Sequence, residues 1–149
     1  MHRNSEGYAD PTAGQAMGQL MSEYRRERKR TWQRQYEMKT RPKAYVASAY
    51  AGDTAVNKER AAKACRFAAD RGMMPVASHL MYPAMGFDDS VPEQREMCCM
   101  FRLALLAVCD EVWCFTAGGK MSPGMEAEVR EAERLGRKVR YYSIEEVEA

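Results

Sequence analysis

No apolar run in this chain of 149 residues approaches the roughly 20 residues needed to cross a bilayer, so a helical membrane protein is excluded. Histidine occurs only twice, and no second His or Cys stands at metal-ligand spacing around His79, so neither a metal site nor another cofactor is expected. The five cysteines, at 65, 98, 99, 109 and 114, form no CxxC pair. An odd number of thiols within apolar stretches points to reduced, buried cysteines and not to disulfides or zinc. The first six residues, Met1 to Glu6, are polar and lack the apolar segment of a secretory signal, so the expected location is cytoplasmic.

The hydrophobic fraction of 46% is that of a soluble globular protein, and the length supports one domain with a real core. Net charge is only +2, but it is unevenly placed. Residues 1–43 hold ten Lys/Arg against five Asp/Glu, a balance of +5, and the remainder is −3. The basic character therefore belongs to an extension over residues 1–42, and a domain over 43–149 carries the fold. From Gly14 to about Lys39 the extension reads as a helix. Met17, Leu20, Met21 and Tyr24 form a stripe, a basic run covers residues 25–30, and Trp32 and Tyr36 follow. The plain reading is a solvated helix packed on its own or a partner subunit, hence a homo-oligomer. One charge run without a reading module is weak evidence for nucleic acid.

Beyond Pro42 the pattern alternates. Residues 43–48, 73–78, 111–116 and 138–142 read as strands, and helices are expected from about Ala55 to Arg71 and from Ser90 to Val108. Ser90-Val91-Pro92-Glu93 has capping-box spacing, and the apolar half at 103–108 predicts deep burial. Residues 80–89 read as an irregular connection, and the acidic tail from Ser143 as a last helical turn. Strand–helix alternation calls for a three-layer α/β/α, Rossmann-like (flavodoxin-like) parallel sheet of four to five strands, plus the extra N-terminal helix. Ligands of such sheets bind outside the carboxyl ends of the strands. Topology thus gathers Tyr45, Ser48, Tyr50, Gly52, Asp53, His79, Gly118, Gly119, Ser122 and Glu128 on one rim.

The most informative stretch is Gly118 to Val129. Two glycines run into Ser122-Pro123, a helix start with a capping hydroxyl and a proline that loses no intrahelical bond. The helix is expected to end near Leu135, with Gly136 as its left-handed stop. At about 100° per residue, Met125, Val129, Ala132 and Leu135 share one face, and Glu128 falls inside that arc about 60° from Met125. The other charged residues of the helix lie outside it. A carboxylate on a core face must be paired, protonated or turned to a cavity. Its position under two turns from a helix start favours a site.

Several segments together resemble the nucleoside 2-deoxyribosyltransferase-like superfamily, and most of all its short phage and bacterial members of unknown function. They are Tyr45-Val46-Ala47-Ser48-Ala49-Tyr50 with Gly52-Asp53, Pro75 to Leu80, Pro92-Glu93-Gln94-Arg95, Cys109 to Trp113 and Ser122 to Ala132. The likeness covers about residues 44–142. It implies cleavage of the N-glycosidic bond of a nucleoside or nucleotide by a Glu in an S-x-G-x-x-x-E-x-x-x-A pattern, here Ser122, Gly124, Glu128 and Ala132. It also implies that Tyr45 orients the nucleophile, and that Ser122, Gly124, Met125 and the helix start hold a hydroxyl or phosphate. Where active relatives carry an Asp that protonates the leaving base, this chain carries Arg102. Asp53, Asp88 and His79 are then the candidate acids, and Asp110 is expected to bond near a strand start. The resemblance implies a hydrolase or deoxyribosyltransferase. The alternative is a non-catalytic binder of a nucleotide or nucleotide-derived signal. Arg102 is expected either to pair with Glu128 or to grip a phosphate or carboxylate of the ligand.

Overall fold

The computed structural model describes residues 11–49 and 54–149. The chain divides into two units, residues 1–40 and 41–149. In the first, helix α1 spans Pro11–Lys39 and carries no buried residue. It begins before the glycines at 14 and 18, which lie within it. Trp32 and Tyr36, one turn apart, stack at 5.3 Å between ring centroids, and Arg28 lies over the Tyr24 ring.

The second unit runs β1 (Lys43–Ala47), α2 (Thr54–Asp70), β2 (Met74–Val76), α3 (Ser78–Met81), a 3-10 turn (Pro83–Met85) and α4 (Pro92–Ala107). It continues with β3 (Glu111–Thr116), α5 (Pro123–Arg134), β4 (Lys138–Ser143) and α6 (Ile144–Glu148). The four strands form one sheet in the order β2-β1-β3-β4, and every pairing is parallel. Alternation along each strand splits the core into two layers. Ala44, Val46, Trp113 and Phe115 face α2 and α6, where Phe67 meets the Trp113, Phe115 and Tyr142 rings edge-on. Tyr45, Ala47, Val112 and Cys114 face Leu106 of α4 and Met125, Val129 and Ala132 of α5. The two central strands, β1 and β3, are buried on both faces, as a sheet covered by helices on each side requires, and the architecture is the expected α/β/α stack.

The strand order reverses between β1 and β3, and this places the site. β2 lies outside β1, β4 lies outside β3, and the chains leaving the two central strands diverge above their carboxyl ends. Helix α5 ends as its sequence indicated. Gly136 sits at φ 71°, and Arg137 N–H donates to the Ala132 carbonyl at 2.8 Å while Gly136 N–H donates to Glu133. Asp110 accepts from the first amide of β1 at 2.7 Å and returns its own N–H to the Lys43 carbonyl. That fixes the start of β3 against β1, as its position at a strand start led us to expect.

Three local expectations are corrected. The second strand is only three residues long, because the chain turns at Ala77 into α3, and residues 80–89 contain the 3-10 turn. The capping box at Ser90 does not form. Val91 is the N-cap of α4 without a side-chain bond, and Ser90 donates both its N–H and its hydroxyl to Asp88 Oδ1. The apolar second half of α4 is not deeply buried: within α4 only Leu106 is, and Val108 just beyond it is 65% exposed. Only one flank of this helix packs on the β1/β3 face and α5, so its opposite flank, with Met97, Met100 and Phe101, stays exposed.

Candidate functional site

Ser122 caps α5 with extended backbone, and its hydroxyl accepts from Met125 N–H at 3.3 Å. Pro123 occupies the first helical position, and Glu126 N–H donates to the Ser122 carbonyl. The cap fixes the rotation of the helix, and Met125, Glu128, Val129 and Ala132 become its buried residues. Glu128 is 1% exposed, and neither of its carboxylate oxygens has a hydrogen-bond partner. Burial pushes its pKa up to about 7, against the opposing pull of Arg102 and Tyr45. A carboxylate that is half ionised near neutrality, with its lone pairs unused, is available to a reactant.

A cleft of about 270 Å³ opens over it, lined by Ser48, His79, Asp89, Arg102, Ser122, Pro123, Gly124, Met125 and Glu128. Tyr45 lies in the central strand beneath. Its hydroxyl shares a 2.9 Å hydrogen bond with Ser78 Oγ and makes none to Glu128 that satisfies hydrogen-bond geometry, so the two groups interact through space. Burial first, and then the Glu128 charge, raise the Tyr45 phenol well above its ordinary value, so it stays protonated. Ser48 Oγ, also buried, has no partner.

His79 is brought in by α3, the short helix that no periodicity in the sequence announced. Burial and then the Arg102 charge push its pKa down to about 4, despite a hydrogen bond with the Ser48 backbone. It is a neutral imidazole at pH 7 and not a general acid. Arg102, on α4, donates from Nη2 to Cys99 Sγ at 3.3 Å, and its buried Nε finds no acceptor. A Cβ built on Gly124 would lie 3.8 Å from both Nη atoms, so the guanidinium sits directly over the first turn of α5. It makes no ion pair with Glu128 within 4.0 Å, although its field reaches Glu128.

Of the sequence candidates, Ser48, His79, Arg102, Ser122, Gly124, Met125 and Glu128 come together around the cleft, with Tyr45 under it. Gly118 and Gly119 do not line it. They form an exposed turn closed by Lys120 N–H to the Ala117 carbonyl, and Gly118 N–H donates to Glu145 Oε1 at 2.9 Å. Tyr50, Gly52 and Asp53 lie outside the described residues. Asp88 is spent on its own loop, where hydrogen bonds from Ser90 hold its carboxyl below the ordinary range. Its neighbour Asp89 lines the cleft instead. Sequence reasoning did not find Ser78 as the partner of Tyr45. The one available signal was a serine interrupting the apolar run beside His79. Among the described residues, no three His, Cys, Asp or Glu side chains converge as metal ligands would.

The architecture is similar to that of a solved 2-deoxyribosyltransferase from Bacillus psychrosaccharolyticus. The TM-score is 0.54 at 17% identity, over 68% of this chain and 72% of that one, a likeness of fold. The sequence finds no match among curated proteins. Residues 42–142, the sheet unit with nearly all of its elements, match the family described as a domain of unknown function, DUF7768, and the chain belongs to it.

Proposed function

We propose that this protein cleaves the N-glycosidic bond of a nucleoside or nucleotide, as a hydrolase or deoxyribosyltransferase, with Glu128 as the nucleophile. The observation that carries the reading is the buried, unpartnered Glu128 carboxylate at the floor of a cleft above the central strands. The fold it shares with a 2-deoxyribosyltransferase supports it. A carboxylate at this position attacks the anomeric carbon and forms a glycosyl ester as the C–N bond breaks. Water or a second base then releases the sugar from the ester. The low-dielectric surroundings strengthen the attraction between Glu128 and a developing oxocarbenium ion. Ser122 and Gly124, at the start of α5, line the side of the cleft where a sugar hydroxyl or phosphate would lie. Tyr45, held by Ser78, is a positioning residue beside the carboxylate.

A second reading, a binder without turnover, draws on Arg102: a permanent guanidinium at the cleft can hold an anion but cannot protonate a leaving base. Incubation with a panel of 2′-deoxynucleosides and their 5′-monophosphates, followed by chromatography for released base, separates the two. Release that disappears in Glu128→Gln supports the enzyme. Saturable nucleotide binding with no release from any substrate supports the binder.

A further inference from the structure

The cleft over Glu128 does not end at Arg102. His79, Asp89 and Arg102 also line a second cavity of about 130 Å³, walled by Tyr82, Phe87, Arg95, Cys98 and Cys99 among others. The Tyr82 and Phe87 rings meet edge to face, with centroids 6.3 Å apart. Arg95, Cys99 and Arg102 stand at i, i+4 and i+7 on α4, so both guanidinium-bearing residues and the thiol between them share one helix face. Because the cleft and the cavity share His79, Asp89 and Arg102, a group carried by a sugar at Glu128 can reach the aromatic-walled cavity.

The chemistry at the junction limits what that group is. A guanidinium gives up no proton at working pH, so Arg102 cannot serve as an acid. His79, with its pKa pushed down to about 4, has no acidic proton to give near neutrality. Among the described residues lining the two cavities, the carboxyl groups are Glu128 and the exposed Asp89. The Tyr82 phenol and the Cys98 thiol also line the second cavity, and burial raises both above their ordinary values, so they are weak proton donors. The donors of Arg102 are meanwhile under-used: one bond goes to a thiol sulfur, a weak acceptor, and the buried Nε has none. A half-buried guanidinium with unused donors that lines two cavities is suited to an oxyanion.

Resting on the reading of Glu128 as nucleophile, we propose that the second cavity receives a planar ring bearing a carboxylate, held by Arg102 with Arg95 beside it. Glu128 Oε bonds to the anomeric carbon, the C–N bond breaks, and its electron pair leaves on the ring nitrogen, delocalised into the ring carbonyls. The two guanidinium groups balance the charge in place of a protonating acid. Water then adds its oxygen to the anomeric carbon, Glu128 departs as a carboxylate, and the proton released from water neutralises the departed ring anion.

Orotate and uracil differ by one carboxylate and serve as the probe pair, titrated calorimetrically into the full chain. A carboxylate received by a guanidinium strengthens binding by about ten-fold or more. Orotate is therefore expected to bind about ten-fold tighter than uracil, and the gap to close in Arg102→Gln and persist in part in Arg102→Lys. Thermal unfolding of each variant establishes that it is folded, and Arg95→Gln, on the exposed first turns of α4, supplies an independent partial loss. Equal affinity for the two probes, no orotate binding at millimolar concentration, or a preference that survives Arg102→Gln overturns the proposal. Glu128→Gln must keep the preference. If the wild type releases no base from any nucleoside yet prefers orotate through Arg102, the catalytic reading fails and the anion site stands. Release of neutral bases without any orotate preference overturns the anion site and leaves the catalytic reading intact.

Discussion

Replacing Glu128 by Gln tests the buried carboxylate through stability, independently of any substrate. The folded state moves the Glu128 pKa from 4.5 to about 7. At about 1.36 kcal/mol per unit, the native protein carries a penalty of about 3 kcal/mol once the group is fully ionised. Glu128 binds its proton more tightly when folded, so the stability is intact below the ordinary value and is lost as pH rises through 7. His79 works in the opposite sense: its folded pKa falls from 6.5 to about 4, so its contribution is present above 6.5 and is lost as pH falls through 4. Between about pH 4.5 and 6.5 the two slopes nearly cancel in the wild type. Glu128→Gln removes one of them. The uncharged amide meets the same unsatisfied pocket at every pH, so the pH-dependent part of the change reports the carboxylate alone. Scanning calorimetry of both proteins at pH 5 and pH 8 is expected to show the variant gaining about 2.5 kcal/mol more at pH 8 than at pH 5. That is a relative rise in Tm on the order of 10 °C for a unit of this size. In the variant, stability should also climb between about pH 4.5 and 6.5. A stability difference that is independent of pH, or a larger gain at pH 5, would refute the assignment of Glu128 as a buried, uncompensated carboxylate.

Three other outcomes follow from named contacts. Tyr45→Phe removes the hydroxyl bonded to Ser78 and is expected to cost about 1–2 kcal/mol in urea unfolding. It should also lower kcat for base release with little change in KM, whereas an unchanged kcat would end its positioning role. Gly136→Ala places a Cβ at φ 71° and is expected to destabilise by about 1 kcal/mol through strain at the α5 stop, read by the same unfolding midpoint. Deleting residues 1–40 removes a helix with no buried residue and with exposed Met17, Leu20, Met21, Tyr24, Trp32 and Tyr36. The expected result is a folded sheet unit of lower oligomeric state by light scattering, and an unchanged assembly would exclude α1 from subunit packing.

The layers of the fold and the candidate nucleophile were legible in the chain's own spacing. Alternating strands and helices of opposite periodicity admit one class of sheet, and a single carboxylate inside the apolar arc of α5 has few places to go. Those are local signals, written in spacing along the chain. The cap at Ser122 and the stop at Gly136 are local in the same way, because each is satisfied by hydrogen bonds within a few residues. The surroundings of Glu128, by contrast, come from contacts between distant segments. Tyr45 and Ser78 are 33 residues apart in the chain and bond because β1 and α3 meet. Asp89 reaches the cleft while Asp88 closes its own turn, a difference that depends on how the loop before α4 is tied by Gln94. Arg102 stands over Gly124 because α4 and α5 pack on the same sheet face, and no periodicity along α4 could show which partner would lie opposite it. The half-exposed α4 belongs to the same class, since an apolar sequence sets how readily a helix is buried, and the number of neighbours that reach it sets how much of it is.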